Sequence, residues 1–449
     1  MARFENYAEF LNWLYNLKRF GMSYGVDNIR KLLKLIDNPH EKINCVLITG
    51  SGGKGSVTFL LSKLLEAHGY KTGRFMKPHL HRYTERIAIN SKEISKERLL
   101  DIANFLYDKI QNSDYHPTFF EFTTALSMLY FLEENVDICV YEVGIGGRYD
   151  ATNVLNPCIS AITTVYLEHT NILGNTYEEI AWNKVGIARK DAYLVLGKTN
   201  ENATKIVEKE CSCIGCELIK VSDEKNADVR FEILKSDLKS NIFNYFGLNS
   251  EFKELETSML GYHQFNNCSV ALCIFELLHM LGYDFKDSLI RDTLKRIYFP
   301  GRLEFVNNSN NIIILDCAKD PFAIQSLCNF LKDNFKEKFI VIMSISSDKD
   351  YRSMIKNISE ITEKFIFCEH KVMSRAVNNE LLKKAVVDLG LNIPSILIKD
   401  VKEAVNFALS NYNLPILITG SVFTVAEARE FLFNEEVDDL SVSDPVNIR

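Results

Sequence analysis

Short apolar runs alternate with amphipathic stretches over the first two-thirds of the chain. The runs at residues 44–49, 136–141 and 160–165 are continuously apolar or nearly so, which is consistent with strands buried on both faces. Apolar residues at helical spacing follow the first run at 56–68, and Gly69 stands where such a helix is expected to stop. This order of elements predicts a largely parallel sheet covered by helices.

The pattern changes in the last half of the chain. Residues 228–260 form alternating, more polar runs, which predict an antiparallel appendage. A long amphipathic helix is predicted at 266–281, and the turn signal at 299–302 marks a domain boundary. Beyond it the alternation restarts, which predicts a second, smaller doubly wound domain. Its predicted strands are 312–315, 339–343, 365–368, 396–398 and 415–419.

The length of 449 residues favours more than one domain, because single hydrophobic cores rarely grow that large. We predict one domain at residues 1–298 and a second at 299–432. Residues 433–449 form an acidic, weakly apolar tail that we expect to be mobile.

The amino-acid composition indicates which class of protein this is and in which cellular compartment it is expected. Hydrophobic residues make up 47% and charged residues 25%, as in soluble globular proteins. The net charge is −7, whereas proteins that bind nucleic acid usually have a strongly basic surface, so nucleic acid is not expected as a partner. No apolar run approaches the roughly 20 residues of a membrane helix, and no signal peptide is recognised. Most of the eleven cysteines lie singly in apolar runs, which favours reduced thiols and a cytoplasmic location.

A glycine-rich segment joins the first predicted strand to the first predicted helix. Its glycines allow several backbone N–H groups to point at one anion, and the helix start and a lysine add positive charge. The strict eight-residue phosphate-loop pattern fails, because Ile48 and Gly55 do not fit it. The alternative is a glycine-rich turn with an exposed lysine. The predicted phosphate-binding residues are Gly50, Ser51, Gly52, Gly53, Lys54, Gly55 and Ser56.

Polar residues also follow two other predicted strands. Glu142 comes at the end of the run 136–141, and a glycine-rich segment with Arg148 and Asp150 follows it. His169 comes after the run 160–165. Ligands of open α/β sheets bind at the carboxyl ends of strands, so Glu142 and His169 could share a metal ion there. The alternatives are a structural turn and a structural histidine.

Together these motifs resemble the folylpolyglutamate synthase/dihydrofolate synthase family of the Mur ligase superfamily. The resemblance runs over nearly the whole chain. It implies a phosphate-loop-containing, Mur-ligase-like central domain with a parallel sheet, followed by a smaller Rossmann-like α/β domain. The motifs that carry it are Ile48–Ser56, Pro78–Leu80, Glu142–Arg148, Asp150–Asn153, Glu168–Thr170, Lys184–Ile187, His263–Gln264, Pro300–Glu304 and Thr419–Ser421.

The resemblance implies an ATP- and Mg²⁺-dependent ligase. Enzymes of this family join the carboxylate of an acid acceptor to the amino group of L-glutamate through an acyl phosphate. ATP is expected between the two domains, and a monomer is expected.

The resemblance also assigns roles to individual residues. Lys184 matches a lysine that is carbamylated in many relatives and would then hold a second magnesium ion; the alternative is an ordinary lysine on a helix surface. Catalytic roles fall on Lys54, His169 and Lys184. Beyond the phosphate loop, nucleotide contacts fall on Asn267, Arg302 and Asp316, and metal ligation falls on Ser56, Glu142, His169 and Lys184. Substrate contacts fall on Thr118, Arg148, Tyr149, Asp150, Ala151, Lys319 and Ser421.

The chain departs from the family at several of these places. Lys77 stands where relatives have a serine that ligates magnesium, and a protonated lysine cannot ligate a metal. Lys319 stands in place of the family histidine. The arginine expected in the N-terminal pterin loop is absent at residues 25–28. Three hypotheses stay open: a folate-using ligase, a divergent ligase for another acid, and a nucleotide-binding protein without catalysis.

Overall fold

Eleven strands form the larger of two sheets in the computed structural model, which describes residues 3–17, 25–308, 311–372 and 375–438. Their order across the sheet is β11-β10-β9-β8-β7-β6-β1-β5-β2-β3-β4. In chain order the strands are β1 Cys45–Thr49, β2 Thr72–Phe75, β3 Ile87–Ile89, β4 Lys92–Glu93, β5 Ile138–Glu142, β6 Ile159–Ile162, β7 Tyr193–Leu196, β8 Glu217–Ser222, β9 Val229–Ser236, β10 Asn241–Phe246 and β11 Glu251–Thr257.

The centre of this sheet is parallel, as the continuous apolar runs predict. Strand β1 pairs in parallel with β5 on one side and β6 on the other. Every residue of β1 is buried, because both faces of the sheet are covered. Cys45 and Leu47 point into one core, whereas Val46 and Ile48 point into the other. The two-residue period of a strand therefore feeds two separate hydrophobic cores.

Helices supply the covering layers on both faces of the larger sheet. The phosphate-loop helix α3 begins at Lys54, two residues earlier than predicted, and its N-cap is Gly53. The long helix predicted at 266–281 begins at His263. The helices of this part are α1 Tyr7–Tyr15, α2 Asp27–Lys34, α3 Lys54–Ala67, α4 Lys96–Gln111, α5 Phe119–Glu133, α6 Thr170–Leu173, α7 Tyr177–Val185, α8 Glu201–Ile214, α9 His263–Met280 and α10 Asp287–Arg296.

The antiparallel pattern predicted for residues 228–260 is confirmed by β9, β10 and β11. The description of these strands as an appendage is wrong, however, since β9 continues the main sheet. Val229 pairs in parallel with Val221 of β8. The edge of the parallel sheet is thus extended and covered by an antiparallel meander.

A second sheet of six strands follows the turn at 299–302, in the order β12-β13-β17-β14-β15-β16. The first strand, β12, pairs antiparallel with β13 and was not predicted. The remaining pairs are parallel, as expected for a doubly wound domain. The strands are β12 Glu304–Asn308, β13 Asn311–Leu315, β14 Phe339–Met343, β15 Thr362–Phe367, β16 Ser395–Leu397 and β17 Ile416–Thr419. The helices are α11 Pro321–Asn334, α12 Tyr351–Ile358, α13 Asn379–Asp388, α14 Val401–Asn411 and α15 Val422–Phe433.

Among the described residues, no helix is both long and apolar enough to span a membrane.

The start of the predicted mobile tail is held in place by contacts with the first domain. The carboxylate of Asp438 accepts hydrogen bonds from the hydroxyl of Tyr7 and the backbone N–H of Tyr83, both at 2.7 Å. The Glu436 carbonyl accepts a hydrogen bond from Arg82 at 2.8 Å. Mobility is therefore wrong for residues 434–438, and residues 439–449 lie outside the described part.

Replacing Asp438 with alanine is expected to lower the free energy of unfolding by about 1–3 kcal/mol, since two donors lose a charged acceptor. Urea unfolding monitored by fluorescence measures this difference. The matched control is Glu436→Ala, which removes only an exposed side-chain pair with Lys96 and should cost less than about 1 kcal/mol. Equal losses in the two variants would contradict a specific role for Asp438.

A buried acid in helix α15 gives a second stability prediction. Glu427 is fully buried and, among the residues that the structure describes, accepts only the backbone N–H of Lys371, so burial raises the pKa of its carboxyl to about 7. The unfolded chain loses this proton near pH 4.5, so the stabilising effect of the neutral form is lost as the pH rises from there through 7.

The variant Glu427→Gln should therefore be more stable than the natural chain by about 2–3 kcal/mol at pH 8, and nearly equal to it at pH 4.5. Urea unfolding at both pH values measures this. Exposed Glu363→Gln is the control and should show no such pH dependence. A pH-independent gain in Glu427→Gln would contradict a titration effect.

Candidate active site

A cavity of about 950 Å³ lies between the two sheets and takes its walls from both domains. Its volume is at the upper end of the range of small-molecule sites. The carboxyl ends of β1 and β5 open into it, where an open α/β sheet is expected to bind its ligand. The predicted site residues that line it are Ser51, Gly52, Gly53, Lys54, Gly55, Ser56, Glu142, His169, Asn267, Arg302, Asp316 and Lys319.

The predicted phosphate loop is clamped between β1 and the segment after β6. Ser51 donates its N–H to the Thr164 carbonyl at 2.8 Å and its hydroxyl to the Tyr166 carbonyl at 2.9 Å. Gly53 has a φ of +80°, and a Cβ there would overlap the side chain of Asn267. Glycine is therefore required at this position by both conformation and space. The side chain of Asn267, on helix α9, lies against the loop. This position is consistent with its predicted contact with a nucleotide.

Lys54 stands at the start of helix α3, where the helix dipole also favours an anion. Its Nζ donates to the Gly50 carbonyl at 2.5 Å, so the ammonium folds back over the loop. Burial, with the nearby charge of Lys54, lowers the pKa of Lys77 to about 7. Burial, with the charges of Lys349 and Lys54, lowers the pKa of Lys319 to about 8. An anion bound among these cations would relieve their mutual repulsion.

Glu142 ends β5 and His169 lies in the segment that follows β6, on the two sides of β1, and both line the cavity. Glu142 is the last residue of β5, and its Oε2 accepts the N–H of Lys77 at 3.1 Å. Burial lowers the pKa of His169 to about 3, although Glu168 opposes this change. The imidazole is therefore neutral at physiological pH and has a lone pair free for a metal.

Lys184 is fully buried, so its interpretation as a helix-surface lysine is wrong. Its Nζ lies 2.7 Å from Oε1 of Glu168. Burial raises the pKa of Glu168, but the charges of Lys184 and Lys54 outweigh it and hold this pKa at about 2. Burial lowers the pKa of Lys184 to about 8. The pair is ionised at neutral pH, and Glu168 faces the cavity while Lys184 lies behind it.

The second domain contributes Arg302, Asp316 and Lys319. The Asp316 carboxylate accepts the N–H groups of Leu303 and Ala318, each at 2.9 Å, which fixes it at the cavity wall. The Arg302 guanidinium lies 5.5 Å from the centre of the Phe299 ring.

Comparison with known proteins decides the family. Residues 48–275 match the Mur ligase middle domain, and residues 301–422 match the glutamate ligase domain of Mur ligases. The chain belongs to the Mur ligase family. The two matches correspond to the larger and the smaller sheet, and they confirm both the predicted resemblance and the predicted fold class.

Proteins similar to this Mur ligase family member include folate-related ligases. A dihydrofolate synthase/folylpolyglutamate synthase of Bacillus subtilis is 28% identical, and the match covers 96% of this chain and 100% of that protein. The folylpolyglutamate synthase structure of Thermotoga maritima is 32% identical with a TM-score of 0.83, over 96% of this chain and 98% of that one. The Mycobacterium tuberculosis folylpolyglutamate synthase, solved with ADP and AMPPCP, is 25% identical with a TM-score of 0.83, over 92% and 96% of the two chains.

Several predicted site residues of this Mur ligase lie outside the cavity wall. Thr118 and Asp150 cap helical segments: the Thr118 hydroxyl accepts the Glu121 N–H, and Asp150 accepts the N–H groups of Ile145 and Thr152. Ser421 caps helix α15 in the same way. The predicted site residues outside the wall are Gly50, Thr118, Arg148, Tyr149, Asp150, Ala151, Lys184 and Ser421.

Arg148 was predicted to contact substrate, but it is engaged elsewhere. Its guanidinium lies 2.8 Å from Glu210 of helix α8 and 4.0 Å from the centre of the Trp182 ring. These contacts join the glycine-rich segment to α7 and α8, which is a structural role. The substrate contacts assigned by resemblance remain predictions.

The structure also adds cavity residues that sequence reasoning missed. Phe59 of α3 stacks on Phe299 with a centroid distance of 4.4 Å and an interplanar angle of 7°. Arg74 of β2 lies 5.0 Å from the centre of the Phe59 ring, opposite Arg302 on Phe299. All four line the cavity. Phe299 was visible only as part of a turn signal, and nothing local connects residues 59 and 74 to it.

A second aromatic contact crosses the cleft. Tyr166 of the larger domain stacks on Phe322 of helix α11 at 4.4 Å, and its hydroxyl donates to Asp320 at 3.3 Å. Tyr166 sits two residues before Glu168, just ahead of the motif Glu168–Thr170 that carries the resemblance. These contacts couple the position of the second domain to the segment after β6 that carries His169.

Proposed function

We propose that this chain is an ATP- and Mg²⁺-dependent carboxylate–amine ligase that adds L-glutamate to the carboxylate of a folate or pteroate through an acyl phosphate. The proposal is carried by one observation: the phosphate loop, Glu142, His169 and Arg302 converge on a single cavity between the two domains. Membership of the Mur ligase family and similarity to folylpolyglutamate synthases support it. ATP would lie in this cavity with its phosphates on the loop.

The donor atoms in the cavity suit one magnesium ion. The Ser56 hydroxyl and the Glu142 carboxylate are the hard oxygen ligands that Mg²⁺ prefers, and neutral His169 adds a nitrogen. These three residues, which line one cavity, would hold the ion. When bound, the ion would neutralise charge on the transferred phosphoryl group.

The protein's own residues would supply the remaining catalysis. Lys54 would place a fixed positive charge at the transferred phosphoryl group, and Lys319 would bring a second from the other domain. Such pre-oriented charges favour the transition state over the bound substrate. Contacts such as Tyr166 with Phe322 would keep the domains together around the acyl phosphate and exclude water from it.

The direct experiment combines the full chain with ATP, Mg²⁺, L-glutamate and either dihydropteroate or a reduced folate. We expect acid-dependent phosphate release and a product heavier by one glutamyl residue in mass spectrometry. Omitting L-glutamate is the control and should abolish the product. Absence of both signals with every folate and pteroate tested would contradict the folate assignment.

A second candidate is a Mur-type ligase for a non-folate acid. It is favoured by Lys77 and Lys319 and by the absence from the cavity wall of six of the seven residues that the resemblance assigned to substrate contacts, among them Thr118 and Asp150. A screen of carboxylic acids and amino acids for ATP-dependent phosphate release separates the two candidates. Turnover with folates alone would contradict this second one. ATP binding without turnover under every acceptor would instead favour a nucleotide-binding protein without catalysis.

A further inference from the structure

Lys77 places a cation inside the proposed ATP site. It follows strand β2 and lines the cavity together with Lys54 and Glu142. Its backbone N–H donates to the Glu142 carboxylate at 3.1 Å, so the residue is anchored to the predicted metal ligand. Its ammonium lies 5.9 Å from the centre of the Phe120 ring. Lys77 therefore belongs to the same cavity wall as the phosphate-loop lysine and the predicted metal ligand.

The Lys77 ammonium can bind a ligand, because it forms no ion pair with a carboxylate of the described residues. Asp150 already accepts hydrogen bonds from the Ile145 N–H and from both the N–H and the hydroxyl of Thr152. Within the described ranges, no carboxylate lies within ion-pairing distance of the Lys77 ammonium, whereas many other lysines have such a partner. A cation of this kind in a cavity favours an anionic ligand.

The donor set for a second divalent cation is poor. The resemblance places that ion on carbamylated Lys184, but the amine of Lys184 is ion-paired with Glu168 at 2.7 Å and does not line the cavity. In the described part of the chain, no three acidic, histidine or cysteine side chains cluster as a metal site. A carbamate on Lys184 would place a second negative charge beside Glu168. The residues fit one divalent cation and do not fit a second.

We propose that the Lys77 ammonium takes the place of a second metal ion: ATP binds with one divalent cation, and Lys77 contacts the oxygens of the transferred phosphoryl group. This inference rests on the ATP site of the proposed function and not on the identity of the acid. It makes Lys77 a catalytic residue of this chain.

The number of bound metal ions provides the test. Mn²⁺ replaces Mg²⁺ and is counted by electron paramagnetic resonance, while a non-hydrolysable ATP analogue is bound to the full-length protein. We expect one Mn²⁺ per bound nucleotide in the natural chain and in Lys77→Arg. In Lys77→Ser we also expect one Mn²⁺ but weaker binding of the analogue, since the charge is lost while the Lys184–Glu168 pair still leaves no donor for a second ion. Lys77→Met should bind the analogue about 10- to 100-fold more weakly, since a charged contact is lost.

Controls make the outcome specific to Lys77. The variant Lys92→Ser changes an exposed lysine of β4 and should match the natural chain. Thermal unfolding and circular dichroism check that each variant is folded. Two Mn²⁺ ions per nucleotide in the natural chain would overturn the proposal, as would one ion with unchanged affinity in both Lys77→Ser and Lys77→Met. Failure of the natural chain to bind any nucleotide would overturn the proposed function together with it.

Discussion

Replacing Lys54 with methionine is expected to reduce ATP-dependent turnover by about 100- to 1,000-fold. Methionine keeps the length of the side chain but removes the charge that Lys54 would direct at the transferred phosphoryl group. The loss of one pre-oriented donor to a transition-state oxyanion typically has an effect of about this size. Because the charge acts mainly on the transferring group, kcat should fall more than the affinity for ATP.

The measurement is phosphate release under saturating ATP, together with the dissociation constant of a non-hydrolysable ATP analogue. Lys109→Met, a change at an exposed lysine on helix α4, serves as the control and should leave both quantities unchanged. The backbone N–H of residue 54 and the loop glycines remain in the variant, so the loop should still bind phosphate. A kcat within threefold of the natural value in Lys54→Met would contradict the catalytic assignment.

Replacing Lys184 with methionine should lower the free energy of unfolding by about 3–5 kcal/mol at pH 7. The change leaves Glu168 largely buried without its partner, and breaking a buried ion pair from one side has a cost of this order. The double variant Lys184→Met/Glu168→Gln should recover most of the loss, because no unpaired charge is left. Urea unfolding measures the four corners of this double-mutant cycle.

The pH dependence identifies the source of that stability. The folded-state pKa of Glu168 lies at about 2, below its ordinary value of 4.5. Its contribution is therefore present above pH 4.5 and is lost as the pH falls towards 2. The difference between the natural chain and Lys184→Met should shrink over this interval. The exposed pair Lys205–Glu201 offers a control, since Lys205→Met should cost less than about 1 kcal/mol at any pH.

The ion pair between Lys184 and Glu168 also affects the carbamylation of Lys184 that the resemblance implies. Carbamylation of Lys184 needs an uncharged amine; burial lowers the pKa of Lys184 and favours that form, whereas the Glu168 carboxylate at 2.7 Å favours the ammonium. The ion pair with Glu168 is thus consistent with an unmodified lysine that is neutralised by its neighbour. Carbon-13 NMR of protein equilibrated with labelled bicarbonate would detect a carbamate if one forms.

The cation-and-aromatic column of Arg74, Phe59, Phe299 and Arg302 adds a further constraint on the ligand. It links β2, α3 and the start of the second domain along one wall of the cavity. Phe299 at the start of the second domain also lies beside Gly55 of the phosphate loop. Phe299 would therefore restrict how closely the two domains approach each other around the ligand.

Local signals were sufficient for the strand–loop–helix unit of the phosphate site. The apolar run of β1, the glycines after it and the helical spacing from Ser56 onward are all properties of neighbouring residues. For the same reason most of the predicted strands and helices differ from the observed ones by three residues or fewer at each end. The edge strand β12 was missed because its run of mixed polarity carries no two-residue pattern, as expected for a strand at a sheet edge.

Contacts between distant residues could not be predicted in this way. The sequence places Lys184 sixteen residues after Glu168 but does not show that α7 turns the amine inwards to meet that carboxylate. Thr118, Asp150 and Ser421 matched substrate motifs, yet each residue accepts an N–H at the start of a helical segment. Whether a polar side chain caps a helix or binds a ligand depends on the backbone around it.

The amino-acid sequence therefore determined the two doubly wound domains, the phosphate loop and the family resemblance, because each depends on short patterns of polarity and glycine. Packing of the chain decided which of the nominated side chains face the cavity and which charges are paired. Glu168 with Lys184, Asp438 with Tyr7 and Lys77 beside Glu142 are set by elements that are far apart in the chain. Burial and partner geometry, which fix the charge and the role of such groups, exist only once those elements have come together.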